Sequence, residues 1–168
     1  MFDRLPQMPD HSFILLGARG SGKSTWLKTV ITKKFILIDL LDLKTQRILM
    51  KNPEKLAAMI DARPKGTKWI VIDEVQKIPA LLDTVHLYIE NTKLKFAISG
   101  SSARKLRRGA ANLLAGRAFE MRMFPLISIE LGKKFKLQDA LEWGCLPKVF
   151  YFKKRSDKID YLNAYAHL

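Results

Sequence analysis

The sequence predicts an α/β fold built on an open, mainly parallel sheet. Three observations predict it: short apolar runs ending in small or acidic residues, helix-like stretches between them, and a glycine-rich loop closing the first run. The runs at residues 13–16, 35–38, 69–72 and 96–98 are continuous rather than alternating. Continuous runs suit strands buried on both faces, as in a parallel sheet covered by helices. Alternating strand and helix patterns then imply right-handed crossovers.

Taken in order, the first run stops at Gly17, and residues 25–32 beyond the loop are compatible with a helix. The second run ends in Asp39. Asn52 with Pro53 reads as an N-cap and first helical residue, with Leu56, Met59 and Ile60 on one face. The third run ends in Asp73 and Glu74. Pro79 opens another helix that carries Leu82, Val85, Leu87 and Ile89. The fourth run ends in Ser99, Gly100, Ser101 and Ser102. Residues 103–115 predict a further helix, with arginines on one side and Leu106, Leu113 and Leu114 available for packing. A fifth strand is expected around residues 119–124, stopped by Pro125. The chain contains no internal repeat or low-complexity segment.

Composition narrows the class. With 168 residues and 48% hydrophobic content, the chain can bury a core, and a mostly disordered protein is excluded. A single cysteine, Cys145, excludes a disulfide framework, fits a cytoplasmic context, and reads as a small buried hydrophobe. No apolar run approaches the roughly 20 residues needed to span a bilayer, so no membrane role is expected. The formal net charge is +14. It divides as +5 over residues 1–60, +1 over 61–100 and +8 over 101–168. Such a surface attracts phosphate polymers, ATP, acidic proteins and anionic membranes alike, or is simply a solvated face. His11, His86 and His167 are widely separated and indicate no metal cluster.

Gly17, Ala18, Arg19, Gly20, Ser21, Gly22, Lys23 and Ser24, followed by Thr25, fit the pattern G-x-x-x-x-G-K-[ST]. Glycines let the backbone curl so that its N–H groups converge on phosphate, and the following helix adds the positive end of its dipole. Lys23 is expected on the β- and γ-phosphates, and the Ser24 hydroxyl on Mg²⁺. About fifty residues later, Asp73 and Glu74 close an apolar strand. Asp73 is expected to hold Mg²⁺, and Glu74 to polarise an attacking water as general base. The Asn-Lys-x-Asp element of a guanine reader is absent, since residues 91–94 read NTKL, which favours ATP over GTP. The hydroxyls of residues 99–102 could sense a γ-phosphate if their strand lies between the loop strand and the acidic strand, or could cap the following helix. From spacing alone Arg117 reads first as a surface arginine, with a guanidinium aimed at phosphate as the alternative.

Residues 17–25, 70–79 (IVIDEVQKIP), 99–106 (SGSSARKL), 112–117 (NLLAGR) and Pro125-Leu126 before Glu130-Leu131 together resemble the bacterial and archaeal AAA+-like ATPases of the AAA_14 type that carry a DUF4143 region. The resemblance covers most of the chain. It implies a three-layer P-loop NTPase (ASCE/AAA+-like) sandwich with a five-stranded sheet in the order 5-1-4-3-2. It implies ATP and Mg²⁺ as cofactors. It makes Asp73 and Glu74 the Walker B pair, assigns Ser99 and Ser101 to sensor 1, and makes Arg117 a candidate catalytic arginine beside Lys23 and Glu74, acting in cis or in trans. Ala18 stands where proline is common, and Ser99 where threonine is common. The family implies an ATPase core over residues 1–130 and a helical extension over 131–168, leading to a second domain that this chain is expected to lack. The activity implied is Mg-dependent ATP hydrolysis. Alternative readings are a nucleic-acid-binding module with ATP as its switch, DNA being the first to test, and an assembly module forming a homo-oligomer.

Overall fold

Neighbouring residues of the apolar runs go to opposite faces of one sheet, and both faces are covered. In the computed structural model, which describes residues 2–32, 34–101, 114 and 116–167, the strands are β1 (Phe13–Leu16), β2 (Phe35–Asp39), β3 (Trp69–Asp73), β4 (Lys95–Gly100) and β5 (Phe119–Arg122). They form a five-stranded sheet in the order β2-β3-β4-β1-β5, with every pairing parallel. Read from the other edge this is 5-1-4-3-2, the order the resemblance implies.

One face holds Phe13, Leu15, Trp69, Val71 and Ala97. Helix α1 (Lys23–Val30) lays Trp26 and Leu27 on that face. The other face holds Leu16, Ile70, Ile72, Phe96 and Ile98. It is covered by α2 (Leu43–Lys51) through Leu49, by α3 (Lys55–Asp61) through Leu56 and Ile60, and by α4 (Leu81–Asn91) through Leu81, Leu82 and Val85. Side chains of this size, fully buried, each contribute about 1.5–3 kcal/mol. This two-sided burial is why the central runs show no polar alternation.

Three local expectations change. Helix α1 starts on Lys23, inside the loop motif and two residues before Thr25, because Gly22 at φ 96° turns the chain directly into it. Asn52 does not open a helix. It closes α2, where its N–H donates to Ile48 O at 3.0 Å, and the chain turns through Pro53 before α3 begins. The sequence reading passed over α2, which is capped by Asp42 Oδ2 accepting from Thr45 N at 2.8 Å and buries only Leu49. The fifth strand ends at Arg122, two residues early. The helix expected over residues 103–115 lies outside the described residues, apart from Leu114, which is buried in the core beside α4.

Beyond β5 come short helices: α5 (Ser128–Leu131), α6 (Leu137–Trp143) and α7 (Arg155–Ala166). Helix α7 buries no residue fully and is fastened by aromatic contacts, Phe152 against Tyr161 at 5.4 Å among them. Part of the late basic excess sits on rings in this region. Arg155 and Lys158 lie over Trp143 at 5.3 and 5.2 Å, and Lys148 lies over Tyr161 at 5.4 Å. Cys145 is half-buried rather than fully buried. Among the described residues no helix is long and apolar enough to cross a membrane.

Candidate nucleotide site

Parallel strands carry their C-terminal ends to one edge of the sheet, and ligands of open α/β sheets bind at that edge. Here the edge gathers the loop after β1, the acids that end β3 and the hydroxyls that end β4. Gly17 continues the β1 ladder, its N–H donating to Gly100 O at 3.3 Å. A Cβ at Gly17 would stand 2.1 Å from Met123 O, so only glycine fits there. The loop then curls back on itself, and Ser21 N donates to Ala18 O at 3.2 Å.

Lys23 is buried, and its Nζ donates to Gly17 O at 2.8 Å and to Ala18 O at 3.1 Å. Burial pushes its pKa below 10.5, opposed by the negative fields of Glu74 and Asp73. The lysine thus lies within the electrostatic reach of both acids, and it lines one cleft with Glu74. Ser21 Oγ is fully buried and has no hydrogen-bond partner among the described residues.

Across the cleft, Ser99 Oγ donates to Asp73 Oδ1, and Glu74 N donates to Ser99 Oγ at 3.1 Å. Both Ser99 and Asp73 are buried. Strand β4 does lie between β1 and β3, the arrangement on which the sensing role of its hydroxyls depended. Ser101 Oγ donates to Glu74 Oε2 at 3.0 Å. Glu74 itself adopts a left-handed backbone, φ 60° and ψ 44°, uncommon for a side-chain-bearing residue and a mark of functional sites.

Ser24 shares a cleft with Glu74 and lines a closed crevice with Asp73. A hydroxyl and a carboxylate are hard oxygen donors of the kind Mg²⁺ selects, so the residues present fit that ion. The cleft has a volume of about 320 Å³ and is lined by Gly20, Lys23, Ser24, Glu74, Lys148 and Tyr161 among others. It shares Gly22, Thr25 and Pro147 with a neighbouring cavity of about 300 Å³. That second cavity is largely apolar, with Phe2, Pro6, Trp26, Val30 and Leu126 in its walls.

The profile of the AAA domain family (AAA_14) matches residues 10–131. The chain belongs to that family. An AAA domain is a nucleotide-binding, ATPase-like module, and the conjunction of loop, acidic strand end and polar strand end is what such a module needs. No curated protein matches the chain.

Within this AAA domain, the structure brings residues 17–25, Asp73, Glu74, Ser99 and Ser101 to the same edge. It does not bring Arg117 there. Arg117 lies two residues before β5, whose first residue Phe119 pairs with Phe13 at the start of β1, so it sits at the opposite edge of the sheet from the loop. Three residue steps along a strand alone span about 10 Å. Its guanidinium meets Glu90 Oε1, with Nε at 2.6 Å and Nη2 at 2.5 Å.

Sequence reasoning missed several residues at the site. Gln76 joins Glu74 to Ser101. Arg4 braces the loop from behind, with Nη1 donating to Ser21 O and Nη2 to Phe124 O, both at 2.6 Å, and Nε on Glu130 Oε1 at 2.9 Å. Tyr165 Oη donates to Arg19 O at 3.0 Å. Gln76 had a signal, lying two places after Glu74 in the segment DEVQ; Arg4 and Tyr165 are far from any motif and had none.

Proposed function

We propose that this AAA domain binds ATP with Mg²⁺ and hydrolyses it. The observation that carries the reading is the sharing of one cleft by Lys23 and Glu74, with an apolar cavity opening from its side. The cleft suits a polyphosphate and the cavity suits a base. The loop's N–H groups not already bonded within the fold, and those at the start of α1, bond phosphate oxygens. Lys23 exchanges its bonds to Gly17 O and Ala18 O for β- and γ-phosphate oxygens, a net gain for a cation held among neutral carbonyls. Ser24 and Asp73 hold Mg²⁺, which when bound neutralises charge on the phosphates. Ser99 keeps the Asp73 carboxylate in place. Glu74 takes a proton from a water whose oxygen bonds to the γ-phosphorus. The bond from that phosphorus to the β–γ bridging oxygen breaks, and its electrons leave with ADP.

ATP is preferred to GTP because the chain lacks the Asn-Lys-x-Asp element. Lys23→Ala is expected to abolish Mg·ATP binding measured by titration calorimetry. Affinity that survives the change refutes the phosphate-loop role. Glu74→Gln is expected to keep ATP affinity within about threefold while turnover falls at least 100-fold, the scale expected when a general base is lost. Unchanged turnover removes Glu74 from its role.

A further inference from the structure

The loop and the acidic pair leave one well-placed side chain without a task. Gln76 lies in the 3₁₀ turn Val75–Lys77, immediately after Glu74. Its Nε2 donates to Glu74 Oε2 and, at 2.8 Å, to Ser101 Oγ, while its Oε1 accepts from Ser101 N at 3.3 Å. Ser101 Oγ donates in turn to Glu74 Oε2. The three side chains therefore form a closed ring that joins the turn after β3 to the end of β4. A primary amide is the one neutral side-chain group that donates two hydrogen bonds and accepts in the same plane. A carboxylate at position 76 would face Glu74 as a like charge, and an aliphatic residue would supply no bond.

We infer that Gln76 is a positioning residue that fixes the Glu74 carboxylate against the end of β4, so that the place of the catalytic base is read from the strand that senses the phosphate. This rests on Glu74 acting as the base. Both donors among the described residues use Oε2, and on this proposal the proton of the attacking water goes to Oε1. The left-handed backbone at Glu74 makes the ring necessary. Strained geometry persists only where its surroundings over-determine it, and here that work falls to Ser99 Oγ on the Glu74 N–H, Glu74 O accepting from Lys77 N at 3.0 Å, and the Gln76–Ser101 ring on the side chain. Phosphate that moves Ser101 would move the base with it, coupling occupancy to chemistry.

The test is steady-state hydrolysis of Mg·ATP together with the ATP dissociation constant, for the wild-type chain, Gln76→Leu, Ser101→Ala and the pair combined, each repeated with Glu74→Gln. Gln76→Leu is expected to lower kcat at least tenfold while KM and the dissociation constant stay within threefold. The double variant should lose no more than the worse single variant, since both delete bonds of one ring. With Glu74→Gln present, Gln76→Leu should not lower the residual rate further, because its effect passes through the carboxylate; a purely architectural role would lower both rates. Should Gln76→Leu not fold, Ser101→Ala carries the same comparison. Wild-type turnover that neither variant reduces, or a loss confined to KM, overturns the positioning role and leaves the ATPase reading standing. ATP binding with no wild-type turnover overturns the role of Glu74 and that of Gln76 with it. No ATP binding at all overturns the nucleotide reading as well.

Discussion

The two walls of the cleft are held in different ways. The acidic wall is held by side chains drawn from two adjacent strand ends: Asp73, Glu74 and Gln76 on one, Ser99 and Ser101 on the other, each bonded to a neighbour within the set. The loop wall is held by its own backbone and by two arms from distant sequence, Arg4 on Ser21 O and Tyr165 on Arg19 O. Its lysine is spent on the loop's own carbonyls, and Ser21 Oγ has no partner among the described residues. The acidic wall is thus organised before any ligand arrives, whereas the loop wall must exchange bonds to receive one. Preorganised dipoles suit the wall that does the chemistry, and exchangeable bonds suit the wall that binds and releases.

If the loop wall depends on remote arms, cutting one should cost more stability than trimming the acidic wall. Arg4 and Glu130 form a buried ion pair, with side chains 9% and 3% exposed. Arg4→Met strands the Glu130 carboxylate, although Leu5 N and Ile127 N still donate to it at 2.9 and 3.1 Å. Breaking a buried pair this way costs about 3 kcal/mol, a fall in Tm of roughly 6–12 °C for a chain of this size. The same change frees Ser21 O, so ATP affinity should weaken with stability. A Tm within about one degree of wild type would show that the loop needs no brace.

The matching cut on the acidic wall is Ser99→Ala. It removes the hydroxyl that bonds Asp73 and leaves the Glu74 N–H without its acceptor. Leaving buried polar groups unpaired costs about 2 kcal/mol, so the fall in Tm should be smaller than for Arg4→Met. The balance of effects should reverse in function, with turnover dropping more than ATP affinity. Thermal melts and ATPase assays on the two variants therefore separate the walls. A larger loss of stability from Ser99→Ala than from Arg4→Met would invert the comparison.

The same division decides what could be read from the chain alone. The acidic wall was legible because both halves end continuous apolar runs, and a run buried on both faces announces itself as a strand whose next residues meet the ligand edge. The loop was legible because close backbone approach and left-handed curvature demand glycines at fixed spacing, Gly17 for the first and Gly22 for the second. Helix α2 was passed over because Asn52-Pro53 imitates a helix start at the place where α2 in fact ends. Arg4 and Tyr165 were not legible either. Their contacts, Arg4 to Glu130 and Tyr165 to Arg19, join residues well over a hundred places apart, and no local period encodes such a pairing. Gln76 stood in plain view within DEVQ, yet its role depends on meeting Ser101 across two strands, which only the sheet order supplies.

Arg117 is the sharpest divergence between motif and geometry, and its removal should have the smallest effect on a single chain. At the edge of the sheet remote from the loop, its guanidinium holds the Glu90 carboxyl below its ordinary value of 4.5, mainly through the hydrogen bond between them. Glu90 is exposed, and exposed pairs contribute little. A depressed carboxylate stabilises the fold above its ordinary range and loses that contribution as pH falls through its lowered value. Arg117→Ala should therefore leave ATP affinity within about twofold, a change under the 1.4 kcal/mol that marks a decade. Its small deficit in Tm should be present at neutral pH and close on acidification below the carboxylate range. A turnover deficit that grows with chain concentration would give Arg117 a different place, reaching the γ-phosphate of a neighbouring copy. Measuring the variant's rate across a concentration series separates the two, because an ion pair within one chain is indifferent to how many chains surround it.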